Sequence, residues 1–231
     1  MGWLFFQTQY IQTIMNFDEL SIGICWYNDP SIFRLLDSLP KSVEKIVVDG
    51  KFKLNPNPQE LSDESLRLRL LDYDNIHLID APNLTEPEKR NQYLMDNDHK
   101  YQLNIDSDEY VIAADWGKFY NFILTLDSGI HHVFFEVDEN GGTSTYPRLW
   151  VNPSEWEYVI CHNIFRNRKL GKILKSGFSE GETCPGVLCG MNDNLRNERY
   201  LKEIIDYQTQ MIAFEKPFRH KFQQGDLKDF E

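Results

Sequence analysis

The chain has 231 residues and a formal net charge of −12, from 24 Lys and Arg against 36 Asp and Glu, a length that suits one domain or one domain with a small appendage. Hydrophobic residues at 41% and aromatics at 13% bury enough apolar surface to offset the entropy of ordering, which excludes general disorder, while the negative charge opposes nucleic acid and anionic membrane faces as partners. Four scattered cysteines, Cys25, Cys161, Cys184 and Cys189, make no CxxC pair and no disulfide framework, so a reducing, cytoplasmic setting is expected.

The opening run Trp3-Leu4-Phe5-Phe6 has no basic segment before it and meets Gln7 and Gln9 at once, so neither a signal peptide nor a transmembrane segment is read. Leu20 to Trp26 is a short apolar run closed by Tyr27-Asn28-Asp29-Pro30, the pattern of a buried parallel strand ending in a loop. Ile32, Leu35, Leu36 and Leu39 recur at helical spacing, and Pro40 stops that helix before the second strand, Lys45 to Asp49, and its turn at Gly50. Leu66, Leu70 and Leu71 mark a second helix, and Ile76 to Asp80 a third strand. Thr85-Glu86-Pro87-Glu88 has the form of a capping box and starts a helix carrying Lys89, Arg90, Asn91, Tyr93 and Leu94. Tyr101 to Ile105 reads as a fourth strand running into Asp106-Ser107-Asp108-Glu109.

Strands that alternate with helices predict right-handed crossovers, a parallel sheet and a ligand site outside the carboxyl ends of the strands. That edge collects Tyr27, Asn28, Asp49, Asp80, Asp106 and Asp108. The second half is mixed: a helix from Trp116 to Leu126, strands at His132 to Asp138 and Arg148 to Val151 joined by Asn140-Gly141-Gly142, and one more strand within Val159 to Phe165. Arg166, Arg168, Lys169, Lys172 and Lys175 follow without an acid among them, a candidate cradle for phosphate. The glycines of Ser176 to Asn192 read as a flexible lid, and Leu195 to Phe214 as a terminal helix.

Asp106 and Asp108 stand two apart where a strand ends, hence on one face, and paired hard oxygens suit Mg²⁺ or Mn²⁺. An ion held there bridges phosphates and offsets the charge of a leaving diphosphate. Uncompensated, these acids would repel such a ligand, so donor binding is expected to need a divalent metal. Glu136 and Asp138 share one side of their strand and are candidates for a general base. Gly177-Phe178-Ser179-Glu180-Gly181 matches GxSxG, with Asp206 and His220 after it, but Pro185, Gly186 and Gly190 do not start the helix that a nucleophile elbow requires.

The strand Ser21 to Asn28, the strand Ile46 to Gly50, Lys89-Arg90-Asn91, Leu103 to Glu109, and Pro147-Arg148-Leu149-Trp150 followed by His162 together resemble the GT-A type of glycosyltransferase, family 2-like. The resemblance implies a Rossmann-like, mostly parallel central sheet flanked by helices, with a mixed second half and a C-terminal helical extension. It divides the chain into an N-terminal segment 1–19, a catalytic domain 20–165 and a basic, Gly-rich and helical region 166–231. It implies Asp106, Asp108 and His162 around Mn²⁺ or Mg²⁺, with Asp106 also near the ribose. Tyr27, Asn28, Asp49, Arg90 and Asn91 would line the nucleotide-sugar site, for a UDP-sugar in the first instance. Transfer to a hydroxyl of a glycan, lipid or protein, with inversion, is the activity implied; a non-catalytic module of the same fold and a nucleotidyltransferase are the alternatives.

Overall fold

The structure, a computed structural model, describes residues 17–53, 57–137, 142–160, 164–171, 173–174 and 183–191. Asp138, His162, the GxSxG segment, the 195–214 helix and the N-terminal run lie outside the described residues.

The first half alternates as the sequence predicts. Strands β1 (Leu20–Trp26), β2 (Glu44–Asp49), β3 (Ile76–Asp80) and β4 (Tyr101–Asn104) enclose helices α1 (Ile32–Ser38), α2 (Glu64–Leu71) and α3 (Glu86–Met95). There follow β5 (Glu109–Ala114), α4 (Trp116–Ile123), β6 (Gly129–Val137), β7 (Gly142–Val151), β8 (Trp156–Ile160), β9 (Ile164–Asn167), β10 (Ile173–Leu174) and β11 (Thr183–Met191). Eight strands make one sheet in the order β3-β2-β1-β4-β7-β6-β11-β5, and β10-β9-β8 make a small second sheet. The chain is thus mixed α/β. Its sheet is parallel from β3 to β4 and again between β6 and β11, with antiparallel pairing elsewhere.

Every residue of β1 is buried, as a central strand covered on both faces requires. On one face lie Ile22, Ile24, Trp26 and Val47 with the α1 side chains Ile32, Phe33, Leu35 and Leu36. On the other, Cys25, Ile46 and Val48 pack with Tyr93 and Leu94 of α3 and the aromatics Trp150, Trp156, Tyr158 and Phe165. Helix α3 starts where its capping box stands: the Thr85 hydroxyl accepts from the Glu88 N–H, and the Thr85 N–H donates to the Glu88 carboxylate at 2.8 Å.

A buried polar chain runs under α3. The Asn97 amide donates to the Ser21 hydroxyl at 2.7 Å and to Gln102, Gln102 donates to Asn104 at 2.9 Å, and Asn104 donates to the Tyr158 hydroxyl at 3.0 Å. Gly23 leaves room for it. A Cβ there would lie 2.1 Å from Gln102 Nε2, 2.8 Å from the Tyr93 ring and 2.9 Å from Asn104 Oδ1.

Three differences from the sequence reading have physical causes. Val159 to Phe165 is not one strand but parts of two, β8 and β9, paired antiparallel. Glu109 to Ala114, given no element from the sequence beyond Glu109 closing the acidic run, is strand β5 at the edge of the sheet. Residues 183–191, read as part of a Gly-rich lid, form β11 inside the large sheet, between β6 and β5. Pro185 cannot donate to a ladder, and the β11–β6 register breaks between Thr183 and Leu188. A sheet strand therefore comes from beyond residue 166.

Gly23→Ala is expected to cost about 3 kcal/mol of stability, because the added methyl meets a filled polar layer. Urea unfolding measures it, and a loss below about 1 kcal/mol would contradict the packing described.

Candidate functional site

The sheet order changes direction between β1 and β4: the chain builds outward from β1 to β2 and β3, then returns to place β4 on the other side. In an open α/β sheet the crevice outside the carboxyl ends at such a point is where ligands bind. β1, β2 and β3 end level, Trp26 pairing with Asp49 and Asp49 with Asp80, while the β4 ladder stops three residues short, at the pairing of Gly23 with Asn104, and the chain runs on through residues 105–107 toward the same edge. Tyr27 to Asp29, Asp49 and Asp106 to Glu109 consequently converge.

On the β1–β2 side every predicted residue is engaged. Tyr27 donates its hydroxyl to Glu60 at 3.0 Å, and Lys51 reaches the same carboxylate at 2.9 Å. Asn28 adopts the left-handed region at φ 48° and accepts from the Asp63 N–H at 2.6 Å, while its own N–H donates to the Ser62 hydroxyl at 2.8 Å. Asp49 is fully buried. Its carboxylate accepts from the Ser62 N–H at 3.2 Å, from the Ser62 hydroxyl and from Arg67, whose other prong holds Asp80 at 2.7 Å. Gly50 turns the chain at φ 135°, and a Cβ there would lie 2.6 Å from the backbone of Pro82.

Beneath this side lies Lys89. Its ammonium is fully buried and donates to the carbonyls of Trp26 at 2.6 Å and Gly50 at 2.5 Å, with the Phe52 ring centroid 4.6 Å away. It ties the ends of β1 and β2 together. Burial lowers its pKa from 10.5 to about 8, against the pull of Cys25 and Asp49. The neighbouring Cys25 thiol is pushed up to about 11 by burial.

On the β4 side the acids are met by two arginines. Arg90 donates to Asp106 Oδ1 at 2.8 Å, and Arg148 donates to Asp106 Oδ2 at 3.1 Å and to Glu109 Oε1 at 3.1 Å. Arg90 also holds Glu86 at 3.0 Å and the Tyr93 hydroxyl at 3.3 Å. Burial would raise the Asp106 pKa, but Arg148 and Arg90 together hold it well below the usual carboxylate range. Glu109 is pushed up to about 8 by burial and by the charges of Asp106 and Asp108, with Arg148 opposing. Glu109 also accepts from the Asp106 N–H at 2.8 Å, which closes the turn. Asp108 stays half-buried beside it.

From the opposite side, Asp29 holds the same turn. Its carboxylate accepts from the Ser107 hydroxyl at 2.9 Å, from the Ser31 N–H at 2.9 Å and from the Ser31 hydroxyl, which also contacts the Ser107 carbonyl at 3.0 Å. Asn91 points its amide elsewhere: it donates to the Tyr158 carbonyl at 2.9 Å and accepts from the Tyr158 N–H at 2.7 Å, pinning β8 against α3. Glu136 lies in β6, opposite Thr143 of β7 and Gly190 of β11. In the basic run, Arg166 and Arg168 pair with Glu157 of β8 at 2.6 and 3.5 Å.

Among the described residues no three His, Cys, Asp or Glu side chains group so as to hold a metal ion. Asp29, Ser62, Arg67 and Lys89 gained no role from the sequence, because their partners come from 13 to 78 residues away in the chain. Among the described residues no helix is long and apolar enough to cross a membrane.

No protein-family model matches the chain, and no curated protein matches it in sequence. Among solved structures it is similar to that of S. aureus TarS, at 19% identity and a TM-score of 0.37 over 54% of this chain and 22% of that one. TarS 1–349 in complex with UDP is similar at 22% identity and a TM-score of 0.38, over 54% of this chain and 37% of that one. The complex of TarS 1–349 with UDP-GlcNAc is similar at 20% identity and 0.36, over 54% and 36%. The chain spans less than two fifths of the length of each of these three structures.

Lys89 carries a pH dependence. The folded protein releases this proton near pH 8 and the unfolded chain near 10.5, so the unfolded state binds more protons in between and stability rises with pH there. Relative to Lys89→Met, the wild type should gain roughly 2 kcal/mol between pH 8 and 10. Chemical denaturation of both proteins across that range measures it; a constant difference would show that the lysine titrates normally.

Proposed function

We propose that the chain is a glycosyltransferase that moves a sugar from a nucleoside diphosphate, UDP first among the candidates, to a hydroxyl acceptor with inversion. The observation that carries this reading is the acidic turn Asp106–Glu109 at the switch point between β1 and β4, facing Tyr27, Asn28 and Asp49 across the strand ends. A sugar nucleotide has a flat base, a ribose and an anionic diphosphate, and the strand ends bring together an aromatic ring at Tyr27 and carboxylates at Asp49 and Asp106, with the buried cation Lys89 below.

Asp108 and Asp106 supply the hard oxygens that Mg²⁺ or Mn²⁺ prefers. Each Asp106 oxygen already accepts from one guanidinium and keeps a second lone pair, so Asp108 would be the principal ligand, with His162 the candidate third. When bound, the ion supplies Lewis-acid stabilisation of the leaving diphosphate. The chain's own residues do the rest. Arg90 and Arg148 keep Asp106 ionised and oriented, Asp29 fixes Ser107, and Lys89 holds the floor between β1 and β2. The base that takes the acceptor proton is assigned to Glu136, near the end of β6, or to Asp138, next but one after it in sequence, because β6 runs parallel to β4 through their shared partner β7.

A second reading, a non-catalytic module that binds the same ligand, is favoured by the engagement of Asp106, Asp49 and Asn91 with protein partners. Turnover separates the two. UDP with Mn²⁺ at 100 times its Kd should stabilise the protein by about 2.7 kcal/mol, a midpoint rise of roughly 5–11 °C for a chain of this size. Incubation with UDP-GlcNAc or UDP-glucose and Mn²⁺ should release UDP, and Asp108→Ala should abolish that release. No shift with any nucleoside diphosphate would overturn the proposal; a shift without release would favour the binding module.

A further inference from the structure

We propose that Arg148 is a positioning residue of this site, a single guanidinium that locks Asp106 and Glu109 together and so fixes the turn that presents Asp108 to the ligand. The inference rests on the sugar-nucleotide reading above and goes beyond it, because Arg148 itself need not touch the donor.

The two prongs of Arg148 address two carboxylates three residues apart, at 3.1 Å each. The contact with Glu109 is deep, side-chain exposure being 12% for Arg148 and 3% for Glu109, so solvent screens it little, while Asp106 stays 28% exposed at the edge. Arg148 comes from β7, on the antiparallel side of β4, and the pairing of Leu103 with Leu149 sets it beside the strand end from which the turn departs. The turn is closed internally by the Glu109 N–H to the Asp106 carbonyl at 3.0 Å and the Asp106 N–H to the Glu109 carboxylate at 2.8 Å. Its far side is held by Asp29 through Ser107.

The four residues therefore have separate tasks. Asp106 and Glu109 anchor the turn to β7 through Arg148, and Ser107 anchors it to the loop after β1. A ligand-binding carboxylate whose neighbours are fixed on both sides keeps its direction, which is how supporting contacts raise affinity at metal and phosphate sites. Arginine is required rather than any cation, because a planar fork spans two carboxylates and a lysine ammonium is a point charge on a shorter reach.

The test uses the full chain and three variants, Arg148→Lys, Arg148→Ala and Asp29→Asn. Affinity for UDP is measured by calorimetry with and without Mn²⁺, Mn²⁺ binding by electron paramagnetic resonance, and folding by circular dichroism at the same temperature. Arg148→Lys should stay folded and lose about 10- to 100-fold in affinity for Mn²⁺ and UDP, the range for loss of a supporting contact. Guanidinium at low millimolar concentration should restore part of the binding in Arg148→Ala and none in Asp29→Asn, a rescue that a role in folding alone would not produce. If the wild type binds UDP and folded Arg148→Lys binds it equally well, the positioning role is wrong while the functional reading stands. If the wild type binds no nucleotide, both fall.

Discussion

A carboxylate partly withdrawn from water needs charge or hydrogen-bond donors beside it to stay ionised, because hydration is forfeited on burial. Asp106 is met twice, by Arg90 from α3 and by Arg148 from β7. One anion thereby joins three elements that are distant in sequence: the helix before β4, the turn after it, and the strand that pairs with β4 from the other side. The cations that answer the acidic turn are built into the fold. The local charge argument drawn from sequence, that these acids face a phosphate-bearing ligand uncompensated, is changed by this: two guanidinium groups already stand beside them.

The same need for satisfied partners organises what lies beneath. Arg90 reaches the Tyr93 hydroxyl, and beside it Tyr158 accepts from Asn104, from which the amides of Gln102 and Asn97 continue to Ser21. A buried polar chain of this length is stable only when each member is paired, and its width forbids a side chain at position 23. Across the crevice, Asp49 is held by Ser62 and Arg67, and Lys89 caps the carbonyls at the ends of β1 and β2. Both walls of the candidate site are therefore fixed by interactions with protein partners, so its side chains are held in place without a ligand.

How much was legible depended on how local the signal was. β1 is a nearly continuous apolar run and β3 a short, largely apolar one, each with turn residues after it, and the Thr85 capping box fixes the start of α3 within a residue. β11 was illegible because Pro185 and Gly186 carry turn chemistry, and only partners on both sides make that segment a strand. The hairpin of β8 and β9 merged into one strand in the sequence because the pairing that divides it is between residues up to eleven apart. At the site, the residue types at the strand ends were visible, whereas Asp29, Ser62 and Arg67 were not. An Asp after a strand or an Arg on a short helix signals nothing until its partner is known.

The sequence by itself determined the acidic character of the chain, the alternation of strand and helix through residue 104, and the gathering of Tyr27, Asn28, Asp49 and Asp106–Glu109 at one edge. These follow from periodicity and from the rule that parallel strands end on the same side. Only the tertiary structure decided how the charges are partnered. Asp106 faces Arg148 from 42 residues away and Ser107 faces Asp29 from 78, distances over which chain order carries no information about contact and packing alone chooses the pair.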